Sequence, residues 1–201
     1  MSLDLYTARV RAPQAAMPLI FAFHGTGGDE TQLFSLADQL VPGAGSVSPR
    51  GDVLEFGAAR FFKRTGEGIY DMDDLARATD KMIAFIAAHR AANPGHPVYA
   101  FGYSNGAYIL ASVFLKQPEL FDRTALLHPL VPWQPDANPA LADRKVLITA
   151  GERAPFTPWP LSDTLITWLQ GQGVQVETDI HDGGHELRNS ELSALQAFFR
   201  D

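Results

Sequence analysis

Short apolar segments alternate with longer amphipathic segments along the chain. The short ones are rich in Val, Ile, Leu and Phe, which predicts buried strands at residues 19–23, 45–48, 98–101, 124–127, 146–149 and 174–180. In the longer ones apolar residues recur every three or four positions, which predicts helices at residues 33–40, 73–92, 105–115, 162–169 and 189–199. Turn-forming residues such as Asn93-Pro94-Gly95 separate the segments.

This order of elements indicates an α/β fold. Apolar strands joined by helices form a mostly parallel sheet with helices on both faces. The chain has 201 residues and no linker or repeat, so we expect a single domain over residues 1–201. Ligands of such sheets bind beyond the carboxyl ends of the strands, so the loops that follow strands are the first place to look for chemistry.

Composition and net charge exclude or disfavour several classes of function. Hydrophobic residues make up 46% and charged residues 19% of the chain, as in ordinary globular proteins. The net charge of −7 disfavours nucleic acid and anionic membranes as partners. The chain contains no cysteine, which excludes disulfides, a thiol nucleophile and thiolate metal sites. The segment from Met1 to Arg11 does not resemble a signal peptide, and no apolar run is long enough to span a bilayer, so a cytoplasmic location is expected.

A candidate nucleophile follows the strand at residues 98–101. Gly102-Tyr103-Ser104-Asn105-Gly106 has the G-x-S-x-G pattern, and a helix follows it. In this strand–turn–helix context the turn lifts a serine hydroxyl above the sheet. We therefore predict that Ser104 is a catalytic nucleophile.

A serine hydroxyl needs a general base, and His185 is the candidate. It lies in Gly183-Gly184-His185, between the last predicted strand and the last predicted helix. The order of nucleophile and then histidine agrees with that of α/β-hydrolases. The other histidines lie in loops or at element ends that fit this role less well.

Acyl transfer also needs hydrogen-bond donors for the oxyanion that develops. His24-Gly25-Thr26-Gly27-Gly28 follows the first predicted core strand and is of the His-Gly-Gly type. We predict that the backbone amides of Thr26 and Asn105 form the oxyanion hole.

Several motifs together resemble one family. The chain is similar over nearly its whole length to bacterial carboxylesterases of the phospholipase/carboxylesterase group, which are related to acyl-protein thioesterases. The matching pieces are His24–Glu30, Ser48–Gly51, Arg60–Phe62, Gly68–Leu75, Gly102–Gly106 and Gly184–Glu186. The resemblance implies an α/β-hydrolase fold without a large lid domain and a Ser–His–acid triad.

The acid of that triad is missing from its expected place. In the family the loop after the strand at residues 146–149 typically reads Gly-x-x-Asp-Pro, whereas this chain has Ala154 before Pro155. Three interpretations stay open: an Asp→Ala change made deliberately, a native acid that has moved, or a degenerate enzyme. Glu152 and Asp182 are the candidate substitutes by position.

The predicted activity is hydrolysis of small short-acyl or aryl esters through an acyl-enzyme, without a cofactor. Tyr103, Phe156, Trp159 and His128 are predicted to line the substrate pocket.

Asp71, Asp73 and Asp74 resemble a metal cluster, but they also stand at a helix start, so no metal is predicted. Two other functions stay open: a thioesterase or lysophospholipase-type hydrolase, and a catalytically impaired binding protein. A homodimer is also an open alternative.

Overall fold

The computed structural model describes residues 2–200, which contain eleven strands and five α-helices. The strands are β1 (Ala8–Arg11), β2 (Leu19–Phe23), β3 (Gly45–Pro49), β4 (Val53–Glu55), β5 (Ala58–Arg60), β6 (Arg64–Gly66), β7 (Ile69–Tyr70), β8 (Val98–Tyr103), β9 (Arg123–Leu127), β10 (Lys145–Gly151) and β11 (Gln175–His181). The α-helices are α1 (Leu36–Leu40), α2 (Met72–Ala92), α3 (Asn105–Lys116), α4 (Trp159–Gly171) and α5 (Asn189–Arg200). Short 3₁₀ helices cover Pro118–Leu120 and Pro139–Leu141.

The centre of the fold is a seven-stranded sheet with the order β1-β3-β2-β8-β9-β10-β11. Only β1, at one edge, is antiparallel to its neighbour, and the other pairs are parallel. The predicted mostly parallel sheet of an α/β-hydrolase fold is therefore confirmed. The carboxyl ends of β2, β8, β9 and β10 lie side by side, so the loops that follow them meet at one edge of the sheet.

The central sheet separates two apolar cores. The side chains of β2 contribute to both because they alternate between the faces of the sheet. Leu19, Phe21 and Phe23 pack into a core with α2, α3 and α4. Ile20 and Ala22 pack into a second core with α1 and α5. Helices thus cover both faces, and each buries an apolar stripe.

Helix α2 begins with a side-chain cap. Asp71 Oδ1 accepts a hydrogen bond of 3.0 Å from the amide of Asp74, as an N-cap residue does. Asp74 in turn accepts from the side chain of Arg77 and from the amide of Lys63. The interpretation of these acids as a helix start is confirmed.

Two hairpins between β3 and α2 do not appear in the sequence prediction. Strands β4 and β5 form one, and β6 and β7 form the other, each as a separate two-stranded sheet. Their strands are too short to show a period-two pattern, and Gly57 and Gly68 supply the positive φ angles of 85° and 69° at their turns. Helix α4 also begins earlier than predicted, at Trp159 rather than Ser162, because Pro160 is compatible with a first helical turn.

Helix α1 begins at Leu36, later than the predicted Leu33. None of the helices in residues 2–200 combines the length and apolar composition of a membrane span.

Candidate active site

The structure places Ser104 on a strained turn between β8 and α3. Its φ of 52° and ψ of −120° lie outside the regions that residues with a Cβ prefer. The turn is fixed by a 3.0 Å hydrogen bond from the Ser104 amide to the carbonyl of Leu127, and by the start of α3 on its other side. This is the geometry in which a serine hydroxyl projects from the carboxyl end of a sheet.

The glycines beside Ser104 are required by close backbone approaches. A Cβ at Gly106 would collide with the carbonyl oxygen of Phe23 on β2. A Cβ at Gly102 would collide with the carbonyl of Gly106 itself. The G-x-S-x-G pattern therefore reflects the packing of the turn against the sheet.

His185 lies within hydrogen-bond distance of the serine. Its Nε2 is 2.9 Å from Ser104 Oγ, and the Tyr103 hydroxyl donates a 2.6 Å hydrogen bond to the His185 carbonyl. Burial, followed by the neighbouring His128, lowers the pKa of His185 to about 4. The imidazole is therefore neutral near pH 7 and able to accept the serine proton.

The other ring nitrogen of His185 lacks the carboxylate that a triad provides. Nδ1 is buried and has no hydrogen-bond partner within residues 2–200. The loop that carries Ala154 is fastened to the turn before His185, since the Arg153 amide donates 2.9 Å to the Gly183 carbonyl. A Cβ at Gly151 would collide with the carbonyl of Gly184, so the two loops are in direct contact.

The predicted substitutes for the acid are not in this position. Glu152 is exposed to solvent. Asp182 is also exposed and pairs with Arg188 at 2.9 Å and with Arg153 at 3.6 Å. Within residues 2–200 neither acid contacts the buried Nδ1 of His185.

The predicted oxyanion loop lies beside the serine. Gly25 and Thr26 line the same cavity as Ser104 and His185. Arg60 holds the loop through a 2.9 Å hydrogen bond to Thr26 Oγ1. The amide of Asn105 stands at the first position of α3, where it has no acceptor within the helix. The Asn105 side chain is buried and accepts 2.8 Å from the Phe61 amide, which fixes the position of this helix end.

The cavity in front of Ser104 has a volume of about 310 Å³. Tyr103 and Phe156 line it, as predicted from the sequence. Trp159 and His128 do not: Trp159 packs partly buried against the larger core, and His128 is fully buried behind the His185 ring. The sequence placed both near the site because they follow β10 and β9, but their side chains turn into the interior.

Sequence reasoning missed several residues of the cavity wall. Tyr70, Arg64 and Glu67 come from the hairpin β6–β7, and Tyr108 comes from α3. Tyr108 could have been found, because it lies four positions after Ser104 and therefore on the same face of the helix. The hairpin residues gave no such signal.

A buried cluster of His128, His181 and Glu191 lies behind the Ser–His pair. Glu191 Oε1 is 2.8 Å from His128 Nε2, and Oε2 is 3.1 Å from His181 Nε2. The three residues offer ligand-type atoms within 4.8 Å of one another. Two backbone amides also donate to these residues. The Gly183 amide donates to His181 Nδ1, and the Arg188 amide donates to Glu191. We therefore treat the cluster as a hydrogen-bond network, which the sequence did not reveal.

The fold and the Ser–His pair together define an enzyme of the α/β-hydrolase class. Residues 14–169 match the model of the family described as Serine aminopeptidase, S33 (Hydrolase_4). The chain is 36% identical to MhqD of Bacillus subtilis (strain 168) over 186 residues, which cover 91% of this chain and 92% of MhqD.

Two solved structures are similar over nearly the whole chain. The protein Atu2452 of Agrobacterium tumefaciens str. C58, of unknown function, is 50% identical with a TM-score of 0.93, covering 100% of this chain and 98% of that one. The Bacillus cereus carboxylesterase is 32% identical with a TM-score of 0.89, covering 97% and 93%. The chain belongs to the Hydrolase_4 family of α/β-hydrolases. The resemblance seen in the sequence is confirmed, and the protein is a hydrolase.

Proposed function

We propose that the protein is a serine carboxylesterase that hydrolyses small esters through an acyl-enzyme. The observation that carries the proposal is the 2.9 Å contact between Ser104 Oγ and a neutral His185 Nε2, at the edge of a cavity that also holds the Thr26 loop. The esterase type of activity is further supported by the similarity to the Bacillus cereus carboxylesterase.

The first half of the reaction acylates the serine. As Ser104 Oγ attacks the ester carbonyl carbon, its proton passes to His185 Nε2 and the carbonyl electron pair moves to the oxygen. The amides of Thr26 and Asn105 donate to that oxyanion, and the N-terminus of α3 adds a favourable dipole. When the oxyanion collapses, the bond to the alcohol breaks and His185 returns its proton to the leaving oxygen.

Water completes the cycle by the same steps. His185 accepts a proton from a water molecule that attacks the acyl carbon, and then gives it to Ser104 Oγ as the acid leaves. No redox step is involved. The reaction consumes one water for each ester bond broken.

The cavity supports short-acyl or aryl esters as the substrate class. Its volume of about 310 Å³ lies at the lower end of the range for small-molecule pockets. Aromatic rings from Tyr70, Tyr103, Tyr108 and Phe156 contribute much of its wall. These surfaces accommodate a compact apolar group better than a long chain.

The test is the Ser104→Ala variant assayed on p-nitrophenyl acetate and butyrate. We expect hydrolysis to fall to background with little change in Tm, because the side chain is small and lies at the cavity surface. A fluorophosphonate probe should label the parent protein and not the variant. Hydrolysis that persists in the variant, or a folded parent that the probe does not label, would contradict the proposal and favour the binding-protein alternative.

A further inference from the structure

Two buried ring nitrogens at the Ser–His pair have no hydrogen-bond partner among residues 2–200. They are Nδ1 of His185 and Nδ1 of His128. The two rings are neighbours, with centroids 5.1 Å apart in an edge-to-face arrangement. Buried polar atoms are normally satisfied, so a pair of unsatisfied atoms in adjacent rings calls for an explanation.

The hydrogen bonds on the far side of each ring decide which nitrogen carries the proton. In the reactive arrangement Nε2 of His185 accepts from the Ser104 hydroxyl, and Nδ1 then carries the hydrogen and is a donor. Nε2 of His128 faces the carboxylate of Glu191, which only accepts, so Nε2 carries the hydrogen. The two Nδ1 atoms make no hydrogen bond to each other.

Glu191 is a fully buried carboxylate that the structure keeps ionised. Burial alone raises its pKa, but hydrogen bonds, that from His128 foremost, outweigh burial and bring the pKa below its ordinary value. The amide of Arg188 donates 2.7 Å to Oε2, and His181 donates to the same oxygen. No Lys or Arg side chain of residues 2–200 forms an ion pair with it. A buried carboxylate without a Lys or Arg partner is costly to maintain.

We propose that Glu191, acting through His128, takes over the electrostatic role of the carboxylate that is missing at position 154. The inference rests on the proposed serine esterase function. In it, Glu191 and His128 are positioning residues: the 2.8 Å hydrogen bond between them holds the carboxylate behind the His185 ring, and the negative charge of Glu191 favours the imidazolium that forms when Ser104 loses its proton. The proton itself stays on His185, and Glu191 remains a carboxylate throughout.

The backbone of His128 also points to a specific requirement for this residue. Its φ is 54°, a left-handed conformation that is costly for a residue with a Cβ. The conformation is held by the 2.9 Å hydrogen bond from the His128 amide to the carbonyl of Thr149. It places the ring between Tyr103, His181 and His185. The strain is explained if the ring must connect Glu191 to His185.

The test is a double-mutant cycle between Glu191→Gln and Ala154→Asp. In the parent background Glu191→Gln should lower kcat by about 10-fold or more, with a small change in KM, because only the transition state carries the imidazolium. In the Ala154→Asp background the same change should lower kcat by less than about threefold, because the new carboxylate supports His185 directly. All kcat values are expressed per active site titrated with the fluorophosphonate probe, so that a partly unfolded preparation does not mimic a catalytic loss.

The pH dependence of kcat/KM gives an independent measurement. Since the negative charge of Glu191 favours the protonated form of His185, its removal should shift the acidic limb to lower pH. His128→Gln keeps a donor toward Glu191 but removes the ring that adds to burial in lowering the pKa of His185, so it should move the acidic limb to higher pH, opposite to Glu191→Gln. If Glu191→Gln does not fold, this shift is measured instead, and no shift would show that the cluster does not act on His185.

His181→Gln is the matched control. It alters the other histidine on the same carboxylate, and we expect a lower Tm with kcat per site changed by less than about threefold. Equal losses of kcat in both backgrounds, or none, would show that Glu191 is structural and overturn the inference while leaving the esterase proposal intact. A parent that neither hydrolyses esters nor reacts with the probe would overturn both.

Discussion

At the residue scale, Ala154 marks the main departure from a complete triad. Its loop is pinned to the turn before His185 by the Arg153–Gly183 hydrogen bond, and Ala154 itself is only 5% exposed. The backbone frame for a carboxylate is thus kept although the carboxylate is absent. Nδ1 of His185 consequently has no hydrogen-bond partner in the described part of the chain.

Restoring the acid with Ala154→Asp should therefore raise kcat. Loss of the triad carboxylate costs serine proteases about 10⁴-fold in turnover, and a gain of about 100-fold is expected here because Glu191 already supplies part of the charge. The carboxylate should also raise the pKa of His185 from about 4, so the acidic limb of kcat/KM should move to higher pH. Steady-state kinetics from pH 4 to 9 measure both. Ala154→Asn is the uncharged control, and an equal gain with Asn would argue against an electrostatic role.

At the element scale, the turn between β8 and α3 depends on how closely α3 approaches β2. The sequence revealed this turn because its glycines, its serine and the start of the helix lie within a few residues of each other. The close approach of Gly106 to the Phe23 carbonyl could not be predicted from the sequence, since β2 and β8 are far apart in the chain.

Gly106→Ala should therefore both destabilise the protein and reduce kcat. Forcing a methyl group against the Phe23 carbonyl costs about 1–3 kcal/mol, or a Tm lower by about 3–10 °C for a chain of this size. Ser104 should move with the helix end and lose its alignment with His185. Gly171→Ala on α4 is the control, since no atom lies within 4 Å of the added Cβ, and it should leave Tm and kcat nearly unchanged. Thermal melts and ester assays compare Tm and kcat of the two variants. If Gly106→Ala and Gly171→Ala had equal effects, the close approach to Phe23 would not be the reason for glycine at position 106.

At the scale of the whole molecule, the cavity is walled by loops from both ends of the chain and by the hairpin β6–β7. The parallel sheet, Ser104 and His185 could be placed from sequence because each depends on a local pattern next to a strand end. The cavity wall and the Glu191–His128 contact could not, because they join residues such as 128 and 191 that are 63 positions apart. Which way a side chain turns after a strand, as at Trp159, is likewise set by packing rather than by position.

The size of this cavity predicts the acyl-chain preference. On p-nitrophenyl esters of two to sixteen carbons, kcat/KM should be highest at about two to six carbons, because a volume of about 310 Å³ does not enclose a longer chain. Phe156→Ala, which removes a half-exposed ring at the cavity edge, should shift the preference toward longer chains. A parent with its maximum at twelve carbons or more would contradict the proposed substrate class.

The order of the site residues along the chain has a consequence for biosynthesis. Domains generally fold as units, whereas synthesis proceeds from the amino end, and the serine, its turn and much of the larger core precede residue 150. His185 and Glu191 come much later, on either side of the start of α5, and α5 also completes the second core. The contact between Ser104 and His185 therefore cannot form in a nascent chain until translation has passed residue 185. The proposed esterase activity would then appear only after the carboxyl-terminal helix has packed against the sheet.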